Sequence, residues 1–215
     1  MVATNVLNAV LVCVLALNLF TLGTGQIRTV IQTAAIQGAL LGLLPFLIHE
    51  HYSVTVVLLV TATVSLKGIV IPLTMLRALR EARIRREVEP LIGLQFSIVL
   101  GAGATSFALL FANRLPLAPT HQATLIVPTA IATIMTGFIL LTTRYKALGQ
   151  VVGYLVLENG IYLFGMLLLE ALPFVVEMGV LLDLFVGIFV IGIVLNNINQ
   201  AFSSMDTRQL ASLKE

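Results

Sequence analysis

The chain has 215 residues, of which 59% are hydrophobic and 10% charged, with a formal net charge of +2 and a mean hydropathy of +1.05. An ordinary soluble domain is roughly 25% charged, so this balance excludes a water-soluble globular protein, and so small a net charge offers little to a nucleic acid. What remains is an all-α integral membrane protein, a single membrane domain over residues 1–215.

Hydrocarbon about 30 Å thick needs roughly 20 apolar residues of helix, and such runs follow one another along this chain. Seven spans are predicted, at 3–22, 29–48, 54–76, 91–113, 122–142, 148–170 and 175–197. No positive charge precedes the first, so it reads as a retained helix and not as a cleaved leader. Cys13 within it is the single cysteine, has no internal partner and reads as a lipid-depth or packing residue. Gly23-Thr24-Gly25-Gln26 is a turn cluster. His49-Glu50-His51 interrupts the next run; it offers metal ligands or a proton shuttle, but reads more simply as interfacial polarity.

The third span holds Lys67, followed by Pro72, whose missing amide removes the hydrogen bond to the carbonyl of Gly68. A charged connector follows from Arg77 to Pro90, mixing five arginines with Glu81, Glu87 and Glu89. Topology setting suffices to explain it, with lipid headgroups or a partner as other uses. In the fourth span Gly101-Ala102-Gly103-Ala104, with Ser106, reads as a close-packing surface. Leu115-Pro116-Leu117-Ala118-Pro119 cannot continue a helix, because proline lacks the amide donor. Thr143 to Lys146 is a short basic turn, and Leu172-Pro173 ends the sixth span. A spanning chain must satisfy its backbone internally, by helix or closed barrel, and runs of this length exclude the barrel.

Basic residues set the expected orientation. The odd-numbered connectors and the C-terminal tail carry Arg28, Arg77, Arg80, Arg83, Arg85, Arg86, Arg144, Lys146, Arg208 and Lys214, ten of the twelve Lys and Arg. Arg114 lies on the other side and Lys67 within the membrane. The positive-inside rule then puts the N-terminus outside and the tail in the cytoplasm.

Charge at membrane depth costs about 2.5–3.5 kcal/mol for a central Lys or Asp, and three residues incur such a cost: Glu158 near the middle of the sixth span, Lys67 past the middle of the third, and Asp183 in the seventh. A buried pair that merely joins helices is one reading; an ion or proton path is the other, and the membrane setting favours it. Tyr154, Glu158, Tyr162 and Gly165 follow spacings of four, four and three, so they share one helix face. Burial favours a neutral carboxyl and a nearby cation a charged one, so Glu158 is placed where its proton can be lost or regained. Gly179 and Gly187 flank Asp183 and give that helix a small face. No nucleotide, quinone, redox-ligand or nucleophile motif accompanies these residues. A faint internal repeat relates Ile36-Gln37-Gly38 to Leu157-Glu158-Asn159-Gly160, with helices one to three and five to seven as parallel repeats.

Gly153-Tyr154-Leu155-Val156-Leu157-Glu158-Asn159-Gly160, the Lys67 helix running into Pro72, and the tail from Asp206 to Lys214 with Leu210 and Leu213 resemble hydrogenase-4 component E. That family supplies a membrane subunit of group 4 [NiFe] hydrogenases and related complexes, and the resemblance runs over nearly the whole chain. Residues 122–215 also resemble the three-helix K subunit of respiratory complex I, whose mid-membrane glutamate matches Glu158 and whose second acid is Asp183 here. Residues 1–121 supply the other four helices.

The resemblance implies a non-catalytic subunit of a hetero-oligomer in a prokaryotic cell membrane. It would lie between antiporter-like membrane subunits and the membrane anchor of a peripheral redox arm, with lipid around it. It would couple redox chemistry to proton or sodium movement through Glu158, Lys67, Asp183, Tyr154 and Tyr162. No cofactor is expected in this chain; the NiFe centre and iron–sulfur clusters would belong to partners. The rival readings are a C-type subunit of a multisubunit cation/proton antiporter, a stand-alone small-solute transporter, and a purely structural packing subunit.

Overall fold

A computed structural model describes residues 2–48, 54–81, 90–115 and 124–168, together with Gly192. Among these residues the regular secondary structure is helical, with isolated bridge positions that include the pair Pro90 and Arg144. The elements are α1 (Val2–Gly23), α2 (Ile27–Gly42), α3 (Leu44–Ile48), α4 (Val54–Thr63), a π-helical segment (Val64–Val70), α5 (Ile71–Glu81), α6 (Leu94–Ala112), α7 (Ile126–Thr143) and α8 (Ala147–Gly165). A single 3-10 turn, Met166–Leu168, closes α8. Among the described residues, six helical stretches are long and apolar enough to cross a membrane: Thr4–Gly23, Ile27–Leu47, Val60–Arg80, Leu94–Ala112, Ile126–Thr143 and Ala147–Gly165. The chain is a multi-pass, all-α membrane protein. The seventh predicted span, at 175–197, lies outside the described residues except for Gly192, as do His49, Glu50, His51 and the tail.

Two spans differ internally from the sequence expectation. The second breaks at Leu43, two residues before Pro45, which has no amide to give to the preceding turn. The third is not one α-helix: Val64–Val70 winds with i→i−5 hydrogen bonds, the amide of Ile71 reaching the carbonyl of Leu66. Pro72 follows directly, in the first turn of α5, without an amide to donate.

Hydrogen bonds between elements fix which helix ends lie together. The Arg144 guanidinium donates to the Leu22 carbonyl at 2.9 Å, and the Leu91 amide donates to the Thr143 carbonyl at 2.8 Å. The C-terminal ends of α1 and α7 and the residues leading into α6 therefore gather at one end of the bundle, which is the basic end. At the other, the Leu125 amide donates to Asn8 Oδ1 at 3.0 Å, joining the start of α1 to the start of α7.

Packing is closest between α7 and α8. A Cβ on Gly160 would lie 2.6 Å from the Ile134 nitrogen and 3.0 Å from the Ala130 carbonyl oxygen, so the two backbones touch where only glycine fits. On α6, Ser97, Gly101, Ala104, Ala108 and Ala112 form a buried small face, with Gly101 against Leu19 and Leu22 of α1. Half of the expected Gly101–Ala104 stretch lies on that face, since Gly103 has nothing near it and Ala102 is exposed, as is Ser106. Cys13 is exposed on α1.

The buried apolar residues fall into two layers. One, at the basic end, includes Leu22, Ile31, Ala34, Ile71, Met75, Leu140, Leu148 and Leu155. The other, at the opposite end, includes Leu7, Leu11, Val14, Leu41, Ala130 and Leu163. Asn18 lies between Val14 and Leu22 on α1, Gln37 between Ala34 and Leu41 on α2, and Thr133 between Ala130 and Leu140 on α7. Glu158 and Asn159 lie between Leu155 and Leu163 on α8. A polar layer is thus enclosed at mid-height between two apolar ones.

Candidate functional site

Lys67 enters this polar layer from the π segment and is buried, 8% exposed. Its neighbour across the gap is α2, which comes close because residue 38 is glycine: a Cβ there would stand 3.0 Å from Lys67 Cβ. The ammonium then lies 3.6 Å from Glu158 Oε1, 3.5 Å from Asn159 Oδ1 and 5.1 Å from the centre of the Tyr162 ring. Carboxylate, amide oxygen and aromatic face all present negative charge to one cation. Glu158 itself is 6% exposed. The pair spans 91 positions of sequence and ties the third predicted span to the sixth.

From this pair a continuous chain of side chains crosses the bundle. Asn159 Nδ2 donates to Gln37 Oε1 at 3.3 Å. Gln37 Nε2 donates to Asn18 Oδ1 at 2.7 Å, and Asn18 Nδ2 donates to Thr133 Oγ1 at 2.8 Å. All four residues are buried, at 2% exposure or less. Buried amides need such partners, because an unsatisfied polar group in an apolar interior costs about 1–3 kcal/mol. Thr129 and Thr136 continue the Thr133 face of α7, and their buried hydroxyls have no partner among the described residues. Sites of that kind are where ordered water sits in protein interiors.

Of the residues singled out in the sequence, the structure brings together Lys67, Glu158 and Tyr162. Tyr154 is half-buried, one turn nearer the basic end on the same helix. Asp183 lies outside the described residues. Sequence reasoning missed Asn18 and Thr133, and valued Gln37 and Asn159 only as part of a repeat or a resemblance. The available signal was their polarity inside apolar runs, which costs less than charge but is of the same kind.

Arg144 was counted only for topology, yet it is 2% exposed. One guanidinium nitrogen holds the C-terminal end of α1 through Leu22, and Nη1 is buried without a hydrogen-bond partner among the described residues. Burial lowers its pKa from the usual arginine value. This residue clamps the basic end of the bundle and stands a full turn of α7 away from Leu140. Among the described residues, no three His, Cys, Asp or Glu converge as a metal site.

No family model matches the chain, and no solved structure matches it. It is 31% identical over 195 residues to the uncharacterized protein Rv0085 of Mycobacterium tuberculosis (strain ATCC 25618 / H37Rv), an alignment covering 88% of this chain and 87% of that protein. Identity at that level across almost the full length of both proteins means that this multi-pass membrane chain belongs to the same family as the mycobacterial protein.

Proposed function

We propose that the chain is a non-catalytic membrane subunit of a redox-driven, ion-translocating complex of the hydrogenase-4 type, with Glu158 as a protonatable station and Lys67 as the charge that biases it. The observation that carries this reading is the Lys67–Glu158 pair at mid-height, continued by Asn159, Gln37, Asn18 and Thr133 across the bundle. A device that only fastened helices together would need one such contact. Carboxamides relay no proton themselves, but a row of polar side chains across the bundle gives ordered water the donors and acceptors it needs, and Glu158 is the protonatable member of that row. Asp183 is assigned to the same path by the resemblance to the complex I K subunit, Tyr154 by its place on the Glu158 face of α8, and the catalytic metal centres to partner subunits. The full reading has seven spans, an external N-terminus and a cytoplasmic tail, in a prokaryotic cell membrane, between antiporter-like subunits and the anchor of the redox arm.

The test is pumping stoichiometry in proteoliposomes containing the whole complex, at matched redox turnover. Glu158→Gln keeps shape and hydrogen bonding but removes titration; it leaves the redox half-reaction near the parent level and lowers coupled ion movement. The double variant Lys67→Met/Glu158→Gln, which leaves no charge unpaired, carries the same expectation. Pumping at the parent stoichiometry in both variants overturns the path. Co-purification with antiporter-type polypeptides and no redox subunit favours the cation/proton antiporter subunit instead.

A further inference from the structure

Beside the Lys67 ammonium lies a partly open cleft between α2, the π segment, α5 and α8. Lys67 and Asn159 form its inner end, and Ile31, Ala34, Met75 and Leu155 line the rest. It has room for about one water molecule. Its direction is fixed by chain order. Ile31 and Ala34 precede Gln37 on α2, Met75 follows Lys67 towards α5, and Leu155 precedes Glu158 on α8. Each of these steps leads from the polar layer towards the C-terminal ends of α1 and α7 and the residues leading into α6, at the basic end.

The contacts of Lys67 point the same way. A charge-assisted N–H···O bond is about 2.7–2.9 Å long, whereas Lys67 stands 3.6 Å from Glu158 Oε1 and 3.5 Å from Asn159 Oδ1. Polar contacts this long are ones at which a water beside the pair is to be tested for. Ala34 and the ring of Pro72 leave the volume for it. Beyond the cleft the apolar layer closes: Met75 is 0% exposed and Ile31 1%. Methionine is unbranched and adaptable, with three rotatable bonds, so of the two it is the side chain that can move aside without shifting the backbone.

We infer that this cleft is a water-binding site through which the Lys67–Glu158 pair exchanges protons with the basic side of the membrane, with Met75 closing it. This deepens the proposed function and rests on it for the direction of proton use. The hydration itself is separately measurable.

The experiment labels single cysteines in the full chain, in native membrane vesicles of both orientations, after Cys13→Ser removes the exposed native thiol. Met75→Cys and Ala34→Cys are compared with Val99→Cys, which is 64% exposed on the outer surface of α6. A charged methanethiosulfonate should modify positions 34 and 75 from the basic side at least about tenfold faster than position 99, because only a hydrated thiol ionises. Hydrogen–deuterium exchange of the unmutated chain provides a second readout: amides of residues 66–76 should exchange faster than those of 97–108. Thiols at 34 and 75 as inert as that at 99, or modified only from the opposite side, would overturn the inference, as would equal protection of the two segments. Hydration found together with normal pumping in Glu158→Gln would defeat the proposed path and leave the water site standing.

Discussion

Lys67 and Glu158 illustrate what a buried pair is worth when it is broken and when it is replaced. Removing one partner leaves the other charge in an apolar surround, at a cost of about 3–5 kcal/mol, whereas replacing both with apolar or neutral residues is often nearly neutral. We therefore expect Lys67→Met to lower thermal stability strongly and the double variant Lys67→Met/Glu158→Gln to recover most of the loss. Melting of the detergent-solubilised chain measures both; additive losses would show that the two groups are not coupled. These charges were legible in the sequence because charge within an apolar run is conspicuous. Asn18, Gln37 and Asn159 carried the same message in a weaker form. Their partnership was not legible at all, since the contacts join residues 19, 115 and 122 positions apart, and no local pattern encodes which apolar helix packs on which.

At the level of helices, most boundaries follow from plain chemistry: Gly23 and Ala112 end their helices beside glycine turns or proline-rich connectors. The π segment is different. Its i→i−5 winding has no propensity signature, and it arises where Gly38, Gly42 and Gly68 let α2 and the Lys67 helix approach closely. Nor did spacing alone say which glycines matter. Gly160 and Gly103 look alike in sequence, yet one touches the α7 backbone and the other faces open space. Gly160→Ala is expected to destabilise by about 1–3 kcal/mol through overpacking. Gly103→Ala is expected to be neutral or to stabilise by roughly 0.5–1 kcal/mol, since alanine is the better helix former. Paired unfolding measurements on the two variants decide this, and equal effects would show that the α7–α8 contact is looser than described.

For the molecule as a whole, the alternation of polar and apolar layers complements the alternation of basic and neutral ends. The connectors joined by Arg144, Leu22, Thr143 and Leu91 are the ones that carry most of the basic residues, so the end identified by contacts is also the end identified by charge. In a Cys13→Ser background, Tyr145→Cys is expected to react with a membrane-impermeant maleimide only from the cytoplasm, and Asn113→Cys only from outside. Tyr145 is 72% exposed and suits the purpose. Modification of both from one side would break the alternating topology.

The π segment and the polar layer also bear on how the chain is made. Lys67 is synthesised 92 positions before Asn159, and at about 5–20 residues per second the ribosome needs roughly 5–20 s to deliver α8. Throughout that interval the Lys67 helix lacks the α8 partners Glu158, Asn159 and Tyr162, against a central-Lys insertion cost of about 2.5–3.5 kcal/mol. Biogenesis is thus predicted to have a waiting step: nascent chains truncated before Ala147 should leave the Lys67 helix extractable by alkali or slipped towards the aqueous edge. Chains carried past Met166 should lock it in, and Lys67→Leu should abolish the difference between the two lengths.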